Sequence, residues 1–173
     1  MTDRSSSILL LGGARSGKSQ RALTLAEALS EKRIFIATAE ALDDEMTDRI
    51  ARHIAERGAG WQTVEAPLDL GAALSHHAGP DHVCVIDCLT LWLSNLMHHQ
   101  RDVEMETRSL CSALLELSGP VILVSNEVGL GLVPETPLGR AFRDAQGRLN
   151  QAVAQACSKV EFIAAGLPLK LKG

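Results

Sequence analysis

The chain has 173 residues, of which 46% are hydrophobic and 22% charged, a composition typical of a single soluble globular domain spanning residues 1–173. Its formal charge of −4 disfavours a dedicated nucleic-acid binder, which usually carries a basic excess. The N-terminus lacks the layout of a signal peptide, no apolar run approaches the roughly 18 residues that span a bilayer, and the four cysteines are scattered, so we expect a cytoplasmic protein.

The first element is a short apolar run at residues 8–11, typical of a buried strand. The segment that follows it matches the pattern GxxxxGK[ST] and opens a helix predicted over residues 18–31. The eight residues of this phosphate loop are Gly12, Gly13, Ala14, Arg15, Ser16, Gly17, Lys18 and Ser19. Its glycines let backbone N–H groups point at phosphate oxygens, and the helix adds its positive dipole end. We predict a nucleotide site in which Lys18 bridges the β- and γ-phosphates and Ser19 ligates Mg²⁺.

A second strand at residues 33–38 is followed by a helix predicted over residues 43–57. Two stripes run along this helix, a polar one at Glu45, Arg49, His53 and Arg57 and an apolar one at Met46, Ile50 and Ile54. We expect the apolar stripe to pack against the core. Two arginines beside an imidazole could hold phosphate oxygens and keep the ring unprotonated for attack on phosphorus. A surface helix with ion pairs and an incidental histidine has the same spacing, which leaves both interpretations open.

The rest of the chain continues the alternation. Further strands are predicted at residues 61–65, 82–87, 120–124, 160–165 and 167–171, and helices at 68–77, 89–99, 104–117 and 137–158. This alternation is typical of an α/β domain with a mostly parallel sheet and helices on both faces. Between the last core strand and the last helix, residues 129–137 are rich in Gly and Pro and predict a mobile loop.

Two acidic residues follow buried strands. The carboxylate of Asp87 either binds Mg²⁺ beside the phosphate loop or caps the next helix, and we favour the metal-binding role. Glu127 could act as a general base, hydrogen-bond a metal ligand, or order the loop at residues 129–134. The sequence does not choose among these three roles for Glu127.

These segments resemble, in order and spacing, the bifunctional adenosylcobinamide kinase / adenosylcobinamide-phosphate guanylyltransferases of cobalamin biosynthesis. The resemblance covers nearly the whole chain and begins at the phosphate loop. Its further blocks lie at residues 36–39, 44–46, 49–50, 53, 61, 63–65, 87, 95–96, 125–129, 131–134, 142–144, 147–148 and 150–151. Several separate blocks in the right order are far more specific than a phosphate loop alone.

The resemblance implies a RecA-like P-loop NTPase fold and two reactions. ATP or GTP first phosphorylates the terminal hydroxyl of the aminopropanol arm of adenosylcobinamide, a step in which Lys18 takes part. His53 then attacks the α-phosphate of GTP and forms a GMP–histidine intermediate. The phosphorylated substrate takes up this GMP to give adenosylcobinamide-GDP. A homotrimer with the corrinoid near a subunit interface is also implied.

Nucleotide contacts outside the loop follow from the same resemblance. They are expected at Ala37, Thr38, Ala39, Ile54, Ala55, Glu56, Arg57, Glu65 and Asp87. At position 54 the family usually carries a basic residue, so the Ile54 side chain offers no ionic contact to phosphate.

Two other functions fit the phosphate loop. One is a small-molecule kinase without the guanylyltransferase step, in which His53 is structural. The other is a RecA-like ATPase that acts on nucleic acid or a partner protein. That class needs a basic and aromatic surface, whereas this chain has three Phe, two Trp and no Tyr.

Overall fold

The computed structural model describes residues 6–40, 44–58 and 60–173. Seven side chains of the second helix lie outside this description, namely those of Asp44, Glu45, Met46, Arg49, Arg52, His53 and Glu56. The strands of the described part are β1 (Ser7–Gly12), β2 (Arg33–Ala37), β3 (Trp61–Glu65), β4 (Val83–Asp87), β5 (Val121–Asn126), β6 (Lys159–Ala164) and β7 (Leu167–Lys172). Its helices are α1 (Lys18–Leu29), α2 (Asp44–Arg57), α3 (Leu70–His77), α4 (Leu89–His98), α5 (Val103–Glu116) and α6 (Pro137–Ala156).

All of these strands belong to one sheet in the order β3-β2-β4-β5-β1-β6-β7. Every neighbouring pair is parallel except β6 and β7, which are antiparallel. In this register Gly12 at the end of β1 lies opposite Asn126. At the end of β2, Ala37 lies opposite both Asp87 and Glu65. The carboxyl ends of β1 to β5 therefore meet along one edge, where open parallel sheets bind their ligands.

The central strands are buried on both faces, as their continuous apolar runs predict. On one face Leu9, Cys84 and Leu123 pack in a cluster with residues of α3, α4, α5 and α6. On the other face Leu10, Val85 and Ile122 pack in a smaller cluster with α1. Each fully buried aliphatic side chain contributes about 1.5–3 kcal/mol, so the sheet is stabilised from both sides. The predicted α/β fold with helices on both faces is confirmed, with four helices against one face.

The predicted element boundaries agree with the structure to within about two residues. The strand β5 runs to Asn126 rather than residue 124, because its parallel pairing with β1 continues to Gly12. The helix α3 begins at Leu70 rather than residue 68, because the Leu68 carbonyl accepts from the Leu70 N–H at 2.9 Å and not from the N–H four residues on.

The apolar stripe of α2 does not pack as expected. Neither Ile50 nor Ile54 belongs to a core cluster, and Ile54 is 45% exposed. Both side chains line a cavity at the carboxyl edge of the sheet instead. The expectation that this stripe faces the core is wrong for these two residues, while the side chain of Met46 lies outside the described residues.

None of the helices in the described ranges combines the length and apolar character needed to cross a membrane.

Candidate active site

The phosphate loop connects β1 to α1 and is held on both sides. Gly17 precedes α1 with φ of 101°, and a Cβ there would come within 3.1 Å of Gly166 Cα, so only glycine fits without strain. The Gly166 N–H donates to the Ser16 carbonyl at 2.8 Å, and the Glu127 N–H donates to the Gly12 carbonyl at 3.0 Å. The β6–β7 turn and the end of β5 thus fasten the loop in its curved shape.

The side chain of Lys18 lies inside this loop. It is only 6% exposed, and its Nζ donates to the Gly13 carbonyl at 2.5 Å and to Ser16 Oγ at 3.4 Å. Burial lowers the pKa of Lys18, while the nearby Asp87 carboxylate acts in the opposite direction. The loop therefore holds a buried positive charge at the start of α1, which suits a phosphate group.

A cavity of about 470 Å³ lies between the phosphate loop, the ends of β2 to β5 and α2, a volume within the range of small-molecule sites. Many of the predicted nucleotide contacts line it. They are Ala14, Arg15, Lys18, Ser19, Ala37, Ala39, Ile54, Arg57, Glu65 and Asp87. Three cationic side chains thus face two carboxylates in this part of the described structure, a balance suited to a polyanionic ligand with a metal ion.

The structure weighs against the helix-capping role of Asp87. The N-cap residue of α4 is Cys88 and not Asp87. Burial raises the pKa of the Cys88 thiol to about 11, so at neutral pH it is protonated and a poor nucleophile. The carboxylate of Asp87, at the end of β4, is close enough to Lys18 to act on its pKa.

The guanidinium of Arg57 forms a wall of the cavity at its α2 end. Its Cζ lies 3.7 Å from the centre of the Phe35 ring, and Nη2 donates to Thr63 Oγ1 at 3.1 Å. Burial lowers the pKa of Arg57, opposed by the charge of Asp87, but an arginine stays protonated. Its buried Nε has no hydrogen-bond partner among the described residues. Stacking and hydrogen bonding thus orient a cation toward the cavity.

The catalytic candidate His53 is described only through its backbone. In an ideal helix, position 53 lies about 60° around the axis from position 50 and about 40° from position 57. Both Ile50 and Arg57, which lie about one turn before and one turn after position 53, line the cavity. Its side chain, like that of Glu56, lies outside the described residues.

Other predicted contacts are placed away from the cavity surface. Thr38 is fully buried, and its Oγ1 donates to the Cys88 carbonyl at 2.7 Å and accepts from the Cys88 N–H at 2.8 Å. Its hydroxyl therefore connects the end of β2 to the start of α4 within the protein. Ala55 is exposed and does not line the cavity. Gly12, Gly13, Ser16 and Gly17 shape the loop through their backbone.

Several lining residues were not among the predicted site residues. They are Phe35, Ile50, Thr63, Cys88, Leu91, Val124 and Asn126. Most stand at or near strand ends on the carboxyl edge, where such sheets bind ligands, and Ile50, Thr63 and Asn126 also lie in blocks of the family resemblance. For Glu127, which the sequence left open, Oε1 accepts from the Gly129 N–H at 2.6 Å, as the loop-ordering role requires.

Comparison with known proteins covers almost the entire chain. A family model described as cobinamide kinase / cobinamide phosphate guanyltransferase matches residues 8–171. The bifunctional adenosylcobalamin biosynthesis protein CobP of Pseudomonas aeruginosa is 48% identical over 95% of this chain and 96% of its own length. The corresponding protein CobU of Escherichia coli is 37% identical over 95% of this chain and 99% of its own length.

Solved structures with little sequence identity share the fold. A type III secretion ATPase aligns with a TM-score of 0.59 at 11% identity, covering 95% of this chain and 56% of that one. The RadB recombinase aligns with a TM-score of 0.52 at 14% identity, covering 91% of this chain and 73% of the other. These similarities confirm the P-loop NTPase fold.

Proposed function

Because the chain belongs to the cobinamide kinase / cobinamide phosphate guanyltransferase family, we propose that it phosphorylates adenosylcobinamide and then guanylylates the product. ATP or GTP supplies the phosphoryl group, and GTP supplies GMP to give adenosylcobinamide-GDP. The observation that carries this proposal is one cavity that joins the phosphate loop, Asp87, Arg57 and the cavity-facing half of α2. Both reactions need a held triphosphate, and the second needs a nucleophile near its α-phosphate.

In the kinase reaction, the substrate hydroxyl oxygen forms a bond to the γ-phosphorus while the bond to the β,γ-bridging oxygen breaks. The nucleoside diphosphate leaves with that electron pair, and the hydroxyl proton passes to solvent or a base. Catalysis of this reaction is mainly positioning and charge stabilisation. The loop amides and Lys18 bind the phosphates and neutralise the charge that develops on the leaving diphosphate.

Two protein oxygens fit a magnesium ion bound together with the nucleotide. The Ser19 hydroxyl and the Asp87 carboxylate line the same cavity. Magnesium at nucleotide sites commonly takes one or two protein oxygens and completes its shell with phosphates and water. These two side chains are therefore sufficient as protein ligands. When bound, the ion would neutralise phosphate charge.

In the second reaction, an imidazole nitrogen of His53 attacks the α-phosphorus of GTP, and pyrophosphate leaves with the electrons of the broken bond. An oxygen of adenosylcobinamide phosphate then attacks the same phosphorus, forms the diphosphate linkage and frees the imidazole. Arg57, held against Phe35, would interact with the phosphate oxygens. This role for His53 rests on its place on α2 and on membership of the family.

The base of the nucleotide would lie at the α2 end of the cavity. Phe35, Ile50 and Ile54 provide apolar surface there, and Glu65 lines the same cavity. A carboxylate can accept two hydrogen bonds from the N–H groups along one edge of guanine, which adenine does not offer in that arrangement. Glu65 is therefore our candidate for the selection of GTP in the second reaction.

The direct test incubates the protein with adenosylcobinamide, GTP and Mg²⁺ and follows both products by liquid chromatography and mass spectrometry. We expect adenosylcobinamide phosphate to form first and adenosylcobinamide-GDP to accumulate after it. If adenosylcobinamide phosphate is the only product, and purified adenosylcobinamide phosphate is not converted when fresh GTP is supplied, the result would support a small-molecule kinase without the second step. No corrinoid product at all would contradict the proposal.

The homotrimer and the cytoplasmic location are also proposals. Exposed apolar side chains support a subunit contact, since Leu132 is 97% and Leu130 81% exposed in the segment before α6, and Leu169 is 62% exposed on β7. Sedimentation equilibrium would show three times the chain mass if the trimer is right, and a single chain mass would contradict it.

A further inference from the structure

Asn126 stands at the last position of β5, a strand that the sheet places between β1 and β4. Its partner in register is Gly12, the first residue of the phosphate loop. The side chain lines the same cavity as Lys18 and Asp87. Asn126 therefore lies between the phosphate loop, which follows β1, and Asp87, which ends β4.

The backbone of Asn126 is held from three directions. Its N–H donates to Thr90 Oγ1 at 2.9 Å, and its carbonyl accepts from Asn150 Nδ2 at 3.1 Å. The next N–H, that of Glu127, donates to the Gly12 carbonyl at 3.0 Å. Hydrogen bonds to α4, α6 and the phosphate loop thus fix the backbone from which the Asn126 side chain extends.

The support from α6 is itself buried and polar. Asn150 Oδ1 accepts from Ser125 Oγ at 2.6 Å and from Gln146 Nε2 at 3.0 Å. Ser125 and Gln146 are fully buried and Asn150 is 5% exposed. A buried network of this kind positions what it contacts, because breaking one bond leaves the remaining polar groups unpaired. Its outward contact is the backbone of Asn126.

The side-chain amide of Asn126 is different from those of the other two asparagines. Asn95 Nδ2 donates to the carbonyls of Thr38 and Pro67, and the Asn150 amide takes part in the network above. No described residue forms a hydrogen bond with the Asn126 carboxamide, although its backbone is held firmly. A positioned donor that faces a cavity and has no partner in the protein is suited to a ligand.

We propose that the Asn126 carboxamide donates a hydrogen bond from Nδ2 to an oxygen of the γ-phosphoryl group during the kinase reaction. This inference rests on the proposed function. As the hydroxyl oxygen bonds to the γ-phosphorus and the β,γ-bridging P–O bond breaks, negative charge is spread over the transferring oxygens. Asn126 stabilises that charge and exchanges no proton. Guanylylation breaks the bond between the α- and β-phosphates, so it depends much less on this contact.

The test is Asn126→Ala assayed in two reactions of the same preparation. One is phosphorylation of adenosylcobinamide, and the other is covalent labelling of the protein by GTP labelled at the α-phosphate. We expect kcat of phosphorylation to fall about 100-fold, as for loss of one well-placed donor, with KM for the nucleotide and the labelling rate within about threefold. Gln155→Ala removes an exposed carboxamide from α6 and should change neither reaction.

Three outcomes separate the possible failures. Phosphorylation within about threefold of wild type overturns the role of Asn126, and so does an equal loss of both reactions with a lower melting temperature. A wild-type protein that phosphorylates no adenosylcobinamide overturns the proposed function itself. If Asn126→Ala does not fold, Asn126→Leu, which is similar in shape and removes the donor without adding a charge, gives the same comparison and should also lose phosphorylation selectively.

Discussion

Lys18 is the residue whose environment most directly links structure to the proposed chemistry. Its ammonium is nearly enclosed by the phosphate loop and donates to Gly13 and Ser16. Burial lowers its pKa, with Asp87 opposing the shift, which means that the fold disfavours the charged form. A buried charged group with a perturbed pKa that lines a cavity is a candidate functional residue.

The variant Lys18→Met should therefore separate activity from stability. We expect phosphorylation of adenosylcobinamide to fall at least about 100-fold, because the phosphate-binding charge is lost. The free energy of unfolding in urea should stay equal or rise, because an apolar chain of similar length replaces a buried ammonium. Lys32→Met, at an exposed position, should leave turnover unchanged. Near-normal phosphorylation by Lys18→Met would contradict the role of the loop.

Among single residues, the sequence predicts the phosphate loop but does not predict that Asn126 belongs to the site. The loop is continuous and its glycines and lysine have fixed spacing, so a short pattern is enough to find it. The position of Asn126 depends on β5 pairing with β1 up to Gly12, a contact between residues far apart in the chain. The role of Thr38 as a connection to Cys88 depends on the same kind of long-range pairing.

Between elements, the hydroxyl of Thr38 connects the end of β2 to the start of α4. It both donates to and accepts from the backbone of Cys88, the residue directly after Asp87. The carbonyl of Thr38 in turn accepts from Asn95 Nδ2 at 2.7 Å. These bonds join the end of β2 to the start and to the body of α4 at one edge of the cavity.

Replacing this hydroxyl tests the connection. Thr38→Val keeps the shape but leaves the buried N–H and carbonyl of Cys88 without these bonds, so we expect a loss of about 1–3 kcal/mol in the free energy of unfolding. Thr38→Ser keeps the hydroxyl and should lose clearly less. Chemical denaturation of the two variants gives the comparison, and equal losses would show that the hydroxyl does not stabilise this edge.

The helix α2 shows where periodicity is insufficient. Apolar residues at helical spacing predict a buried stripe, and the helix itself forms as predicted. Spacing does not distinguish a stripe that faces the core from one that faces a ligand cavity, because both surfaces are apolar. Ile50 and Ile54 belong to the second kind.

For the whole molecule, the fold follows from the order of the elements. Alternating strands and helices, short connections and apolar strand runs restrict the chain to an open parallel sheet. The strand order itself and the antiparallel β7 depend on pairings between distant segments. The sequence analysis did not predict that order.

The buried cysteines give the molecule a predictable response to alkaline pH. Burial raises the pKa of Cys84 from near 9 to about 12. Below pH 9 the thiol is protonated in both states, whereas between about pH 9 and 12 it ionises only in the unfolded chain, so stability falls as pH rises. In Cys84→Ala, the free energy of unfolding should fall less steeply in this window, by about 1.4 kcal/mol per pH unit.

Urea unfolding at several values between pH 9 and 11 measures this slope for Cys84→Ala and wild type. Cys111→Ala is the matched control, because Cys111 is only half-buried and its removal should change the slope less. Equal slopes for Cys84→Ala and wild type would show that Cys84 is accessible to water in the folded protein.

The central claim is that one nucleotide cavity serves both phosphoryl transfer and a histidine nucleophile on α2. The most direct measurement is incubation with GTP labelled at the α-phosphate, peptide mapping of the covalent adduct, and a chase with adenosylcobinamide phosphate. We predict an acid-labile, alkali-stable GMP adduct on His53 that passes to the corrinoid, is absent from His53→Ala, and is retained by His76→Ala, which alters an exposed histidine of α3. Label that persists in His53→Ala, or an adduct that the chase leaves on the protein, would contradict the account.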